Sequence, residues 1–202
     1  MISRAFLAAA LVSTSVGAAS AAPVFFEDFE GYVLGTPSSL SPTWTVSSGS
    51  IDVIGPGNGF DWWGPGKYID MNGTPNGPAT IAAMVTGLST GSMYNLTFNY
   101  GYNKGSGPSE SLLFGVGAAT GTLGALDFGA LVGSTFGLAT LTFQATASSM
   151  SVFFQDLNNP NDEDLGAAIL DNVSIAAVPL PATAALLLIG LGGLGALRRR
   201  KA

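Results

Sequence analysis

Short stretches in which large apolar and polar side chains alternate constrain the fold of this chain more than any other feature. In residues 94–100, tyrosine, leucine and phenylalanine occupy every second position, and asparagine and threonine fill the positions between them. Residues 139–145 alternate in the same way. Because successive side chains of a strand point to opposite faces, this pattern predicts antiparallel strands with one buried face. Between residues 23 and 177, which we call the body, no stretch has the sustained apolar period of 3.6 residues that indicates an amphipathic helix.

Clusters of glycine, proline and asparagine separate these stretches and favour tight turns between them. Ten strands are predicted: Val24–Phe29, Thr43–Val46, Ser50–Ile54, Lys67–Met71, Thr80–Val85, Tyr94–Tyr102, Ser111–Val116, Ala139–Ala145, Ser149–Gln155 and Ile169–Ala176. The glycine-rich segment 117–137 is either a pair of loops or a further hairpin. Many short strands without helices in one domain predict an all-β antiparallel sandwich. Its expected core includes Leu96, Phe98, Leu141, Phe143, Val152 and Phe154.

The beginning of the chain has the pattern of a secretory signal peptide. Arg4 precedes an apolar run over 5–12, and small residues lead to an Ala-x-Ala box that ends at Ala21. The apolar run is too short to span a bilayer, which argues against an uncleaved anchor. The sequence therefore predicts a signal peptide over residues 1–22 and export of the remainder.

The end of the chain combines a proline-rich signature, an uncharged apolar segment and a basic cluster. The 16 residues 182–197 would form a helix about 24 Å long, shorter than the ~30 Å hydrocarbon core of a bilayer. Four glycines within it weaken the helix further, and the terminal cations favour the cytoplasmic side. A short transmembrane helix is predicted here. The residues that form the signal are Val178, Pro179, Leu180, Pro181, Ala182, Arg198, Arg199 and Arg200.

This arrangement resembles the C-terminal sorting signals of exosortase substrates, the PEP-CTERM class, in the variant that reads Val-Pro-Leu-Pro-Ala. The resemblance implies a precursor held in the inner membrane of a Gram-negative bacterium, whose tail an exosortase-type transpeptidase removes before display on the cell surface or in the extracellular matrix. One alternative is a sortase box at Leu180–Thr183, although Ala184 stands where that box expects glycine. The other is an anchor that is never cut. The predicted domains are residues 1–22, 23–177 and 178–202.

The body between the two signals is strongly acidic and contains neither cysteine nor histidine. Only Lys67 and Lys104 oppose 13 carboxylates, so the body carries a net charge of about −11. This charge argues against nucleic acid and anionic lipid as partners and favours cations, above all Ca²⁺. Without cysteine there is no disulfide framework, so stability must come from apolar packing.

The body also resembles galactose-binding-like jelly rolls, a type that includes many carbohydrate-binding modules. The resemblance rests on Phe26–Glu30, on Gly87–Phe98 with its Tyr-x-Leu-x-Phe strand, on Leu141–Ala147 and on Ile169–Ile175. It implies a structural Ca²⁺ where the first and last strands lie side by side, since Ca²⁺ takes about six to eight oxygen ligands. The matching acids are Glu27, Asp28 or Glu30 in the first strand and Asp171 in the last. The oxygen-rich run 156–164 lacks the spacing of an EF-hand loop and is more typical of a hydrated turn.

Two adjacent indoles, Trp62 and Trp63, lie between glycine- and proline-rich turns. Neighbouring residues of an extended chain face opposite ways, so at most one of the two is expected in the core. The other would offer a flat platform for a sugar ring, with Tyr102 and Asn103 adding hydrogen bonds. The alternative is that one of these tryptophans only covers the edge of the sandwich.

Catalysis finds little support in the sequence. Without histidine or cysteine there is no Ser-His-Asp triad and no thiol nucleophile. Carboxylates are the residues that glycoside hydrolysis uses, and they occur near residue 28 and at 162–164. Nothing in the sequence, however, places one of them in an apolar pocket that would raise its pKa. We therefore expect a protein that is not an enzyme, displayed at the surface in a structural or adhesive role. The alternative is a carbohydrate-binding module that binds polysaccharide, and a hydrolase comes third.

Overall fold

Thirteen strands and one short helix form the part of the chain that the computed structural model describes. That part comprises residues 21–35, 40–57, 63–74, 77–103, 110–131, 135–158 and 167–179, and residues 21–178 form one compact unit. The elements are β1 (Phe25–Glu27), β2 (Trp44–Ser48), β3 (Asp52–Ile54), β4 (Tyr68–Asp70), β5 (Asn72–Gly73), β6 (Gly77–Pro78), β7 (Thr80–Thr86), β8 (Met93–Tyr102), β9 (Leu112–Val116), β10 (Ala119–Leu123), α1 (Ala125–Gly129), β11 (Gly137–Gln144), β12 (Ser149–Asp156) and β13 (Ala168–Ala177). None of the described helices has the length and apolarity to span a bilayer, and the predicted segment 182–197 lies outside the described residues.

The strands form two antiparallel sheets that pack face to face. The first has the order β11-β8-β13-β4-β3, and β1 also pairs with β13. The second has the order β10-β9-β12-β7-β2, while β5 and β6 form a separate small hairpin. The predicted all-β antiparallel sandwich is therefore confirmed, and each of the ten predicted strands has a counterpart within a few residues.

The main core lies between the two sheets and follows the predicted alternation. Phe98 in β8 has no exposed surface, and its ring meets Phe114 and Phe154 of the opposite sheet edge-on, at centroid distances of 4.8 and 4.9 Å. Val152 is also fully buried, and Leu141 packs against the core while half-buried. These contacts confirm the predicted inward faces of β8, β11 and β12.

A second, smaller apolar cluster covers part of the outer face of the first sheet. It contains Ile54, Tyr68, Ile169 and Trp63, whereas Val53, Ile69 and Leu170, next to the first three of these, belong to the main core. Because both sets are buried, β3, β4 and the start of β13 are covered on both faces.

Two local predictions need correction. Segment 117–137 contains the hairpin partner β10, as one of the two alternatives expected, and also the unpredicted helix α1. The carboxylate of Asp127 accepts a hydrogen bond from the Gly124 amide (2.8 Å) and Phe128 is buried, which together fix this single turn.

Strand β1 ends at Glu27 instead of Phe29, because Phe29 adopts a left-handed backbone (φ 55°) and its amide donates to the Glu27 carboxylate.

Candidate functional site

Trp63 is the buried member of the tryptophan pair. Its side chain is 3% exposed, its indole N–H donates to the carbonyl of Tyr102 (2.8 Å), and its ring stacks on Phe136 at 5.4 Å. Gly101 in β8 makes this possible, since a Cβ there would lie 2.7 Å from the indole. Trp63 therefore covers the sheet and is closed to a sugar ring, which corrects its assignment as a platform residue. Trp62 lies outside the described residues.

The other two residues of the predicted sugar site support this buried cluster and its neighbourhood. Tyr102 is half-buried and meets the Trp63 ring edge-on at 5.3 Å. The side-chain amide of Asn103 donates to the Asp70 carboxylate (3.2 Å), and its backbone amide donates to the Ala167 carbonyl (3.0 Å). Asn103 thus belongs to an acidic cluster described below.

Asp171 in the last strand lies within electrostatic range of Asp28 and Glu30, which directly follow β1. Strand β1 pairs with β13 so that Glu27 is opposite Val173. Burial, with smaller contributions from the negative charges of Glu30 and Asp28, raises the pKa of Asp171 to about 6. Reduced solvation and nearby negative charge thus both disfavour the charged form of this carboxyl group.

The hydrogen bonds of these acids already use several of the predicted calcium ligands. Both oxygens of Asp171 accept from Asn172 (2.7 and 2.8 Å). Glu27 accepts from the Phe29 amide and the Tyr32 hydroxyl, and Glu30 accepts from the Lys67 amide at 2.7 Å. Among the residues that the structure describes, no group of three acids is arranged to hold a metal ion. A Ca²⁺ at this place would need carbonyl and water oxygens besides Asp171, and it remains a prediction.

A second group of acids lies at one end of the sandwich and was not predicted as a site. Asp52 begins β3 and lies directly opposite Asp70, the last residue of β4. Asp156 is the last residue of β12, and Glu110 precedes β9. Their exposed fractions are 6%, 5%, 4% and 0% in that order. We call these four residues the end cluster. Asp156 was expected in a hydrated turn, and its burial corrects that interpretation.

The end cluster is only partly satisfied by hydrogen bonds. Asp70 accepts from the Asn72 amide (2.9 Å) as well as from Asn103. Asp156 accepts from the amides of Asn158 (2.8 Å) and Ala168 (3.3 Å). One oxygen of Asp52 accepts from Thr74. The other oxygen of Asp52 and both oxygens of Glu110 are buried and accept no hydrogen bond of normal geometry from a described residue.

Burial shifts the pKa of every member of the end cluster upward. It raises the pKa of Asp70 to about 7, with smaller contributions from the charges of Asp52 and Asp156. Burial, with smaller contributions from the charges of Asp156 and Asp70, raises the pKa of Glu110 to about 8. Burial also raises the pKa of Asp156 to about 6. The pKa of Asp52 is raised by burial as well. These carboxyl groups therefore favour the protonated form much more than exposed acids do.

The sequence carries one signal that points to these acids. Asp156 continues the inward-facing series of β12 after Val152 and Phe154, two residues apart each time. Asp52 and Asp70 likewise belong to strands whose other residues are all apolar or aromatic. Recognising the cluster also requires the pairing of β3 with β4, which the sequence alone does not specify.

The C-terminal end of the sandwich leads directly into the segment expected to be a sorting signal. Strand β13 ends at Ala177, and the Val178 amide still donates to the Met93 carbonyl at 2.9 Å. Residues 177–201 match the PEP-CTERM protein-sorting motif. The prediction of a PEP-CTERM-type signal at this end of the chain is confirmed. The PEP-CTERM motif begins at the last residue of the last strand, so the sandwich and the sorting motif are consecutive along the chain.

The chain is similar in sequence to a curated protein, the halomucin of Haloquadratum walsbyi. The two are 32% identical over 155 residues, which cover 75% of this chain. This chain spans only 2% of halomucin.

In structure, the sandwich is similar to the CBM22-1 xylan-binding domain of Xyn10C from Paenibacillus barcinonensis. That likeness has 14% identity and a TM-score of 0.49, and it covers 82% of this chain and 100% of that domain. The K2 cleaved adhesin domain of Lys-gingipain is similar with 13% identity and a TM-score of 0.48, over 75% of this chain and 97% of that domain.

Proposed function

We propose that this chain is an exported β-sandwich protein that an exosortase-type enzyme sorts and processes for display on the surface or in the extracellular matrix of a Gram-negative bacterium. Its role there is structural or adhesive. The observation that carries the proposal is the PEP-CTERM match over residues 177–201, which starts where β13 ends. A processing enzyme would thus find its recognition sequence directly beyond the folded domain.

The local sequence supports this division between domain and signal. Pro179 is exposed and has no amide hydrogen to continue the ladder with β8. Pro181 follows two residues later. The strand therefore stops where the signal begins.

The proposal is tested by following the C-terminus of the protein in its native host. Removal of residues 182–202 should release the protein into the periplasm or medium, whereas the intact precursor should reach the surface with a shortened C-terminus. Mass spectrometry of the mature protein gives the new terminus. Replacing Arg198, Arg199 and Arg200 by alanine is the matched control. This variant keeps the Val-Pro-Leu-Pro-Ala signature and removes only the arginine cluster that follows the apolar segment. If all mature protein keeps the arginine cluster, processing is excluded and an anchor remains.

Binding of polysaccharide is a second candidate function, favoured by the outer face of the first sheet. Thr140, Thr97 and Ser174 lie side by side across three strands, and Phe26, which is 56% exposed, is opposite Ser174 in β1. The row therefore offers uncharged hydroxyl groups that end at an accessible aromatic ring. Hydroxyl groups and an aromatic surface are what a neutral sugar chain binds.

A glycan array with the full chain tests this candidate. Thr97→Val and Phe26→Ala should abolish binding without a change in melting temperature, because both side chains lie on the outer face. Trp62→Ala tests the other member of the tryptophan pair in the same assay. Trp63→Ala is unsuitable for this purpose, since loss of a buried indole would destabilise the fold. A wild-type chain that binds no glycan would rule the candidate out.

A further inference from the structure

The end cluster brings four carboxyl groups from both sheets into one buried region. Asp52 and Asp70 come from β3 and β4 of the first sheet, and Glu110 and Asp156 come from the β9–β12 side of the second. The neutral Asn103, which directly follows β8, donates to Asp70, and Ala167 and Ala168 lie where β13 begins. No described residue places a positive charge in this region.

The one lysine or arginine among the described residues is engaged elsewhere. The ammonium group of Lys67 donates to the carbonyls of Glu30 and Tyr32, at 2.8 and 2.7 Å. The end cluster therefore has no described counter-charge. Buried carboxylates without a counter-charge repel one another and are poorly solvated.

A bound proton resolves both difficulties. Directly opposite residues of an antiparallel pair have Cβ atoms about 4.5–5.5 Å apart, so two charges on Asp52 and Asp70 would repel strongly. The oxygens of Glu110 are buried and accept no hydrogen bond of normal geometry from a described residue. The backbone amides of Glu110 and Ala167 favour its charged form, whereas burial and the charges of Asp156 and Asp70 oppose it more strongly. A protonated carboxyl group has an O–H that can donate a hydrogen bond. A neighbouring carboxylate of the cluster can accept that hydrogen bond.

We infer that the end cluster takes up protons when the chain folds and makes the sandwich responsive to external pH, more stable in mildly acidic surroundings than in alkaline ones. The response is built into the domain and does not depend on the proposed function. It is expected to act first at the end of the sandwich where β4 and β12 end and β13 begins.

The direction of the response follows from the two states of each acid. In the unfolded chain Asp and Glu titrate near pH 4, whereas in the folded chain the pKa is about 6 for Asp156, about 7 for Asp70 and about 8 for Glu110. The folded state therefore binds more protons between about pH 4 and pH 8, and the free energy of unfolding falls as pH rises through that window. The extra stability is complete below the unfolded pKa values and is lost once pH exceeds the folded ones.

The first experiment measures the melting temperature of the full chain by tryptophan fluorescence, in detergent and EDTA, at pH 5 and pH 8. Trp44 and Trp63 are both 3% exposed and report on the two apolar clusters. The melting temperature should be higher at pH 5 by about 5 °C or more. Glu110→Gln should shrink this difference, because an amide keeps the shape and cannot titrate, and its melting temperature at pH 8 should equal or exceed that of the wild type. Asp127→Asn, an exposed acid on α1, should leave the difference unchanged.

A second measurement counts the protons directly and needs no variant. Unfolding enthalpies at pH 7 in buffers of different ionisation enthalpy should show that about one proton or more is released on unfolding of the wild type. A melting temperature independent of pH between 5 and 8, or no proton release, would overturn the inference. So would recovery of the pH 5 melting temperature at pH 8 by Ca²⁺ in the wild type but not in Asp70→Asn, since a cation would then occupy the cluster.

Discussion

Truncation of Phe98 to alanine tests whether the alternation along β8 positions the core as we describe. The ring has no exposed surface and lies between the sheets, edge-on to Phe114 at 4.8 Å and to Phe154 at 4.9 Å. Removing a buried phenylalanine ring typically lowers the free energy of unfolding by about 3–5 kcal/mol. We expect the upper part of that range, because each edge-to-face aromatic pair is worth about 0.5–1.5 kcal/mol beyond burial.

The loss is large compared with the total stability of an ordinary domain, about 5–15 kcal/mol. In a domain of this size, 1 kcal/mol shifts the melting temperature by about 2–4 °C, so a loss of about 4–5 kcal/mol in Phe98→Ala should lower it by roughly 8–20 °C. Thermal unfolding followed by circular dichroism gives the shift, and urea titration gives the free energy with an unchanged slope if the native fold is kept.

Phe26→Ala is the matched control, since it removes the same ring from the outer face of β1. Phe26 is 56% exposed, so its loss should change stability by no more than about 0.5 kcal/mol. Equal effects of the two substitutions would refute the assignment of Phe98 to the space between the sheets. The inward faces of β8, β9 and β12 would then need a different arrangement.

Two further predictions concern the tryptophan cluster and the calcium site. Gly101→Ala places a methyl group 2.7 Å from the Trp63 ring, so the melting temperature should fall by several degrees for a cost of about 1–3 kcal/mol. Gly31→Ala, which meets no atom within 4 Å, should be nearly neutral, and equal effects would mean that Trp63 does not pack on β8. Millimolar Ca²⁺ should raise the melting temperature of the wild type but not of Asp171→Ala, because an ion that binds only the native state stabilises it. An identical melting curve in Ca²⁺ and in chelator would remove the ion from the description of this protein.

The strands were predictable because their information is local. Alternation along 94–100 and 139–145 is a property of neighbouring residues, and it fixes which face is buried whatever the partner strand is. The end of β1 was not predictable, because the left-handed backbone of Phe29 depends on the Glu27 carboxylate and on a core that accepts its ring. Phenylalanine itself carries no preference for that conformation.

The sites were harder to predict because they depend on which strands become neighbours. Alternation indicates that one of Trp62 and Trp63 is buried, but the choice of Trp63 follows from its contact with Gly101 on a distant strand. In the same way, the charge of Asp70 and Glu110 favours exposure, and only the approach of strands from both sheets makes these residues buried. The pairing of β1 with β13, which brings Asp171 near Asp28 and Glu30, was predictable because the family resemblance already includes it.

The position of β13 also determines how mechanical load would enter the domain. This strand is the middle one of its sheet, bonded to β8 from Ala168 to Ala177 on one side and to β1 and β4 on the other. Tension directed along this strand would therefore strain many of its hydrogen bonds at once, in shear. A tether on an edge strand would instead open its hydrogen bonds one after another, like a zipper. If the chain is attached through its C-terminal end, as proposed above, the attachment would load the central strand of this sheet and not an edge strand.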